Sequence, residues 1–386
     1  MPANREPARP GLGVVAREWL RLGTIGFGGP PTHIALMRDR FVDRFEWISA
    51  KEFEDAIAAT NLLPGPASTQ LAIFCAWRAR GLLGGLVGGI CFIAPGLVII
   101  LALAGLLLGH PPAWVLGAAA GAGAAVPGVA LHASARLVPT SWRRAGVRTG
   151  QRVRWVLYGV TGALSAMMGG ALLVVVLLLC GAIEMAIRVP RGAGNRGVLA
   201  PALVGHLAGL TGLAALSWEA LKVGALSYGG GFVIIPLMQH DVVSTYHWMS
   251  GPQFLNAVAL GQLTPGPVVL TTAVVGYAAR GLSGALLATV IAFTPSFVFV
   301  LAGASRFKRV RDNARAVAFL QGAGPCVVGA IGGSALPLAL ALHQYWQFTL
   351  LAAALVWLLV LRRGVVSAML ATATLGAVAV TIGLAL

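Results

Sequence analysis

Two tripeptides, Pro64-Gly65-Pro66 and Pro265-Gly266-Pro267, interrupt stretches that are otherwise apolar enough to run as membrane helices. Proline removes a backbone donor and clashes with the preceding turn, and glycine loosens the chain, so each triplet breaks the helix that contains it. A broken helix in lipid leaves backbone N–H and C=O groups that cost several kcal/mol apiece unless protein or water satisfies them. The breaks therefore predict a cavity. Where a second half-helix restarts, its free N–H groups and positive dipole end can hold an anion with no buried side-chain charge. Hydroxyls and amides flank both breaks: Asn61, Ser68 and Thr69 at the first, Gln262, Thr264, Thr271 and Thr272 at the second. One such triplet reads most simply as a kink that shapes packing; two at matching positions read as a binding site.

Other residues bear on the same chemistry. The pairs Gly28-Gly29 and Gly229-Gly230 mark a second interruption, where a ligand or a neighbouring backbone can approach closely; close helix packing of the small-residue kind explains them equally well. His33 is a candidate proton carrier, because imidazole titrates near physiological pH, or an interfacial hydrogen-bonder. Glu54 and Asp55 are the acids nearest the first break and can carry protons or sit at a solvated helix end. Arg80 and Arg280 occupy matching loop positions and can draw anions to each mouth, or set topology alone.

The elements that must position these residues follow from composition. Over 386 residues, 58% are hydrophobic and 10% charged, with a mean hydropathy of +0.83. A soluble chain needs charge on about a quarter of its residues, so lipid must supply the exterior. The fold expected is an all-α polytopic membrane protein. Stretches long enough to cross a hydrocarbon core, about 20 residues of helix, lie near 11–30, 55–77, 82–108, 113–135, 152–168, 170–187 and 198–216, then 218–239, 254–279, 282–304, 316–340, 344–361 and 365–385. That is about thirteen transmembrane helices. Basic residues gather on the cytoplasmic side of short loops, and an N-in, C-out orientation places 22 of the 28 Lys and Arg residues there. Lys222, near a segment end, is expected to snorkel to the surface.

The chain also repeats itself. At an offset of 201 residues, Glu18 pairs with Glu219, Gly28-Gly29 with Gly229-Gly230, Trp47 with Trp248, Phe53 with Phe254, and the two Pro-Gly-Pro triplets with each other. At an offset of 200, Arg80-Gly81-Leu82 pairs with Arg280-Gly281-Leu282 and Pro95 with Pro295. The division expected is a first six-helix repeat at 1–190, a linker with a central helix at 191–217, and a second six-helix repeat at 218–386. Seven crossings precede the second repeat, so it enters the membrane from the opposite face. Inverted-topology repeats with Gly/Pro-interrupted segments at matching positions are the sequence pattern of secondary transporters, whose substrate sits at the midplane.

Several function classes are set aside on the same residues. The net charge of +16 lies between apolar segments rather than on a polar module, which excludes a nucleic-acid partner. There is no zincin histidine pair, phosphate loop or nucleophile elbow, so no enzyme is expected. Cys75, Cys91, Cys180 and Cys326 lack metal or disulfide spacing; no metal and no cofactor are expected. The apolar part of the N-terminal stretch is interrupted by Arg17, Glu18 and Arg21, and no removable signal peptide is read.

The quoted residues carry a resemblance. Phe27-Gly28-Gly29-Pro30 with His33, Trp47, Leu63-Pro64-Gly65-Pro66, Arg80-Gly81 with Gly84, Phe92 with Pro95, Gly229-Gly230, Thr264-Pro265-Gly266-Pro267 and Thr294-Pro295-Ser296 together resemble the chromate ion transporter family in its long, two-domain form. The resemblance implies a multi-pass carrier of the bacterial inner membrane that exports chromate with the proton-motive force and confers resistance. Family members place a glutamine three residues before the first break, where this chain has Asn61; Gln262 keeps it in the second. The partners implied are chromate or a related oxyanion and the lipid bilayer, and a homodimer is compatible with them. A carrier of sulfate or another oxyanion, or a passive anion channel, is the alternative.

Overall fold

The computed structural model describes residues 10–61, 63, 65–109, 111–169, 171–189, 212–227, 231–303 and 313–385. Pro64, Gly229, Gly230 and most of the expected linker segment lie outside them. All regular structure among the described residues is helical.

Helix α1 (Leu12–Ile25) leads through Gly28 and Gly29 to α2 (Pro30–Met37), which runs on into a π-helical turn, Arg38–Arg44. Two prolines open α2, where a missing N–H costs nothing. Helix α3 (Ala50–Thr60) starts at Ser49, whose hydroxyl accepts the Glu52 N–H and so satisfies one of the orphan donors of the first turn. Helix α4 (Ala67–Leu108) doubles back on itself. Arg80 (φ −142°, ψ 21°) and Gly81 (φ 67°, ψ −156°) leave helical geometry, and a positive φ of this kind falls to glycine because a Cβ would collide with the backbone. The limbs on either side run antiparallel, with Gly84 and Gly88 close on Ala76 and Gly89 on Ile73.

The second half retraces this course. Helix α8 (Gly212–Leu226), α9 (Ile234–His240) with its π-helical turn Asp241–Thr245, and α10 (Gly251–Leu263) capped by Ser250 correspond to α1, α2 and α3. A 3-10 turn, Val268–Leu270, opens α11 (Thr271–Gly303), which reverses at Arg280 and Gly281 (φ 62°) as α4 does. Even the strained residues correspond: Glu46 and His247 both hold φ 52°. Between and after these lie α5 (Ala113–Ala145), α6 (Thr149–Met168) and α7 (Ala171–Arg188), answered by α12 (Ala314–Gly333), α13 (Ala335–Leu340), α14 (Tyr345–Leu355) and α15 (Val365–Thr381). The duplication in sequence is a duplication of backbone geometry. Helix α8 is continuous through residues 217 and 218, where apolarity alone divides linker from second repeat.

By length and composition, five helical runs among the described residues can cross a membrane: α4, α5, α7, Val268–Gly303 and Ala314–Leu340. The stretches expected as single spans near 55–77 and 254–279 are instead pairs of short helices on either side of a break.

The two repeats interlock. Helices α6 and α7 pack on α12 of the second repeat, and α14 and α15 pack on α5 of the first. Small residues make this possible: Gly121 lies against the backbone of Thr372 and Gly376, and Gly162 against that of Cys326, the close approach that drives helix association in lipid. At the centre, the second limbs of α4 and α11 cross antiparallel, Gly85 meeting Leu301 and Gly89 meeting Phe297.

Buried ion pairs pin the first helix of each repeat to its π-helical turn. Glu18 on α1 accepts from Arg40 Nε at 3.0 Å. At the corresponding place, Lys222 on α8 bridges Glu219 (2.7 Å) and Asp241 (2.5 Å). Lys222 is 3% exposed, so it is a core residue of the second repeat and does not snorkel.

Candidate functional site

The first break begins where α3 ends at Thr60. Gly65 takes φ 118° and Pro66 is extended (φ −70°, ψ 106°), after which α4 restarts at Ala67 with no side-chain cap. Its first-turn N–H groups therefore lack a capping acceptor. Ser68 and Thr69 follow at once, both buried. Gly65 does not rest on its own repeat alone: the Gly224 carbonyl of α8 and the Ser296 hydroxyl of α11 stand against it.

The second break mirrors the first. Thr264 is extended (φ −85°, ψ 146°), Gly266 takes φ 97°, and Pro267 is extended ahead of the 3-10 turn. The Gly266 N–H donates to the Gly26 carbonyl at the end of α1, at 3.0 Å, and the Pro265 carbonyl lies on Gly96 of α4. Each break thus docks on the repeat it does not belong to. His33 completes the second seat: its Nε2 donates to the same Gly26 carbonyl at 2.9 Å, and its ring stands edge-on to Phe92 at 5.1 Å. At 1% exposure it is a buried residue rather than an interfacial one.

The side chains around the breaks divide into two sets. Thr69 Oγ1, Ser227 Oγ, Ser296 Oγ, Gln262 Nε2 and His33 Nδ1 are buried with no hydrogen-bond partner among the described residues. Thr264, Thr271 and Thr272 instead spend their hydroxyl hydrogens on the carbonyls of Leu260, Val268 and Val269, at 2.7 to 2.8 Å. Buried polar atoms normally find partners, and each one left without costs about 1–3 kcal/mol. Three hydroxyls and an amide N–H near the breaks, with no acceptor among the described residues, are a set of neutral buried donors. Such donors suit a guest with several acceptor oxygens and its own negative charge, since hydrogen bonds to a charged acceptor are roughly twice as strong as neutral ones.

The other sequence candidates differ in burial and position. Gly28 (φ 95°) and Gly29 (φ 76°) form the turn between α1 and α2, with Gly28 exposed and Gly29 half-buried. Asn61 is exposed, while Gln262 is buried. Glu54 is exposed and pairs with Arg38 at 3.4 Å; Asp55 is half-buried on α3. Arg80 and Arg280 are exposed at the hairpin tips, and Arg80 lies about 16 Å along the helix from Thr69 at 1.5 Å per residue. Sequence reasoning missed Ser227 and Ser296 as lining. The repeat itself carried the signal, because Ser227 aligns with Gly26 and Ser296 with Gly96: the second repeat bears hydroxyls where the first has bare backbone.

The chromate transporter family matches residues 14–186 and again 214–381, so both halves of the duplication are covered. The chain belongs to the chromate transporter family. Its relatives include the chromate transport protein of Pseudomonas aeruginosa, 33% identical over 83% of this chain and 80% of that one. The chromate transport protein of Cupriavidus metallidurans is 30% identical over 83% of this chain and 81% of its own length. An uncharacterized transporter of Methanocaldococcus jannaschii is 28% identical over 77% and 76%. No solved structure matches the chain significantly. Members of this family are transporters, and the long apolar helices agree with a multi-pass membrane protein.

Proposed function

We propose that the chain is a secondary transporter that exports chromate across the bacterial inner membrane, driven by the proton-motive force, and so confers chromate resistance. The observation that carries this reading is the docking of each helix break on the opposite repeat, amid buried hydroxyls and an amide that lack acceptors. A guest that enters there takes up those donors; its departure leaves them to be satisfied again, which favours alternation between states over a permanently filled site. The names of the relatives supply the substrate. Antiparallel crossing of the equivalent limbs of α4 and α11 supports inverted topology, because a two-fold axis across membrane-spanning helices lies in the membrane plane. The proposed arrangement is two repeats of about six crossings, about thirteen in all with the linker, N-in and C-out.

Outward transport follows from charge. Moving one charge through 100 mV is worth about 2.3 kcal/mol, so a dianion leaving a negative-inside cell gains roughly twice that. Export is therefore downhill in potential, and proton coupling adds to it.

The test is chromate flux in proteoliposomes of the purified chain, with and without an imposed pH gradient, with sulfate as competitor. Saturable flux that responds to the gradient is expected, and replacement of Pro64-Gly65-Pro66 or Pro265-Gly266-Pro267 by alanines abolishes it while membrane insertion persists. Unitary currents, or full flux in both alanine variants, would overturn the proposal.

A further inference from the structure

The two ion pairs that pin α1 and α8 to their π-helical turns are built at equivalent positions with opposite charge excess. In the first repeat Glu18 faces Arg40, with Arg17 a second guanidinium at 3.7 Å, and the site is balanced or positive. In the second, position 241 is an aspartate where position 40 is an arginine, and the added cation, Lys222, comes from α8 itself. Fully ionised, Glu219, Lys222 and Asp241 sum to one negative charge, and Glu219 and Lys222 are only 2% and 3% exposed. An unbalanced charge in the interior costs several kcal/mol. One carboxylate oxygen, Glu219 Oε2, is buried with no hydrogen-bond partner among the described residues.

Other charged and titratable groups stand on the neighbouring elements. The α9 segment contributes Asp241, its neighbour His240, and Tyr246, which stacks on Trp248. From α11, Arg280 stands at the hairpin tip beside Gly212, two turns from Glu219. A metal cation would need several oxygen ligands and would meet the Lys222 ammonium. A proton on Glu219 needs neither: it removes the excess charge and turns the orphan oxygen from an acceptor into a donor.

We propose that Glu219, held by Lys222 opposite Asp241, is where the driving proton is bound, with the charge-balanced Glu18–Arg40 pair its structural counterpart in the first repeat. This rests on the reading of the chain as a proton-driven carrier. The link to the substrate is short. Five residues beyond Glu219, the Gly224 carbonyl is part of the seat of Gly65, and Ser227 closes the same helix end. A change in how α8 is pinned to its turn is delivered directly to the first break.

The test uses the full chain in proteoliposomes and reads two fluxes: chromate accumulation driven by a pH gradient, and chromate-for-chromate counterflow with no gradient. Glu219→Gln is expected to lose gradient-driven accumulation and keep counterflow. Asp241→Asn, which leaves a balanced Glu219–Lys222 pair like that of the first repeat, is expected to do the same, and Glu18→Gln to retain gradient-driven transport. In the wild-type protein, infrared difference spectra between low and high pH should show a protonated-carboxyl stretch that Glu219→Gln removes; this reading needs no flux and covers a variant that transports poorly. Gradient-driven accumulation unchanged in Glu219→Gln, or an infrared band that survives the substitution, overturns this assignment alone. A wild-type protein that carries no chromate in either assay overturns the carrier reading, and this one with it.

Discussion

The N–H of Gly266, in the break of the second repeat, donates to the carbonyl of Gly26, at the end of the first helix of the first repeat, at 3.0 Å. The same oxygen accepts from His33 Nε2 at 2.9 Å. One carbonyl therefore holds an unwound stretch of one repeat against a buried histidine of the other, across 240 residues of chain.

Both break glycines are sterically committed. Gly65 and Gly266 hold φ of 118° and 97°, a region that costs an L-residue roughly 1–2 kcal/mol. A Cβ at Gly65 would also press on Gln70 Nε2 and Ser296 Oγ at 2.6 and 2.9 Å. Gly65→Ala and Gly266→Ala are expected to insert normally and to slow chromate flux about tenfold, the consequence of roughly 1.4 kcal/mol. Flux per inserted molecule, with abundance measured by quantitative blot, checks this.

The unpartnered hydroxyls should behave differently from the paired ones. Thr69→Val and Ser296→Ala remove buried donors that have no acceptor among the described residues, so melting temperature should hold or rise. The KM for chromate should rise at least about tenfold, since a hydrogen bond to a charged group is worth about 1.5–3 kcal/mol. Thr271→Val should leave KM unchanged, because its hydroxyl hydrogen already goes to the Val268 carbonyl. Equal KM effects at Thr69 and Thr271 would show that the lining was wrongly assigned.

His33 is expected to matter for cohesion through its Nε2–H. Loss of that bond in His33→Leu should cost about 0.5–1.5 kcal/mol and lower the melting temperature in detergent, whereas His33→Gln, with an amide donor of its own, should recover much of the loss. Thermal unfolding of the two variants side by side makes the comparison.

At the hairpin tips, Arg80 and Arg280 are exposed and remote from the breaks. Arg80→Gln or Arg280→Gln should slow flux at low ionic strength and match the wild type at high salt, because exposed charges act over no more than a Debye length, about 8 Å at 0.15 M. A defect that persists at high salt would place these residues in the binding step itself.

Much of this protein is determined locally and was legible in the sequence. Its apolar composition requires lipid, Pro-Gly-Pro forces an unwound stretch wherever it falls, and Arg80-Gly81 and Arg280-Gly281 reverse the chain because only glycine takes the positive φ cheaply. The duplication likewise needs only an alignment of the chain with itself. What tertiary structure alone decided is which surfaces these elements meet. That Lys222 turns inward between two acids depends on how α8 packs within the second repeat, and that Gly65 sits on Gly224 and Ser296 and Pro265 on Gly96 depends on two repeats interlocking about a common crossing. Such contacts join residues up to 231 positions apart, and neither propensity nor hydropathy, which act within a few turns, specifies them.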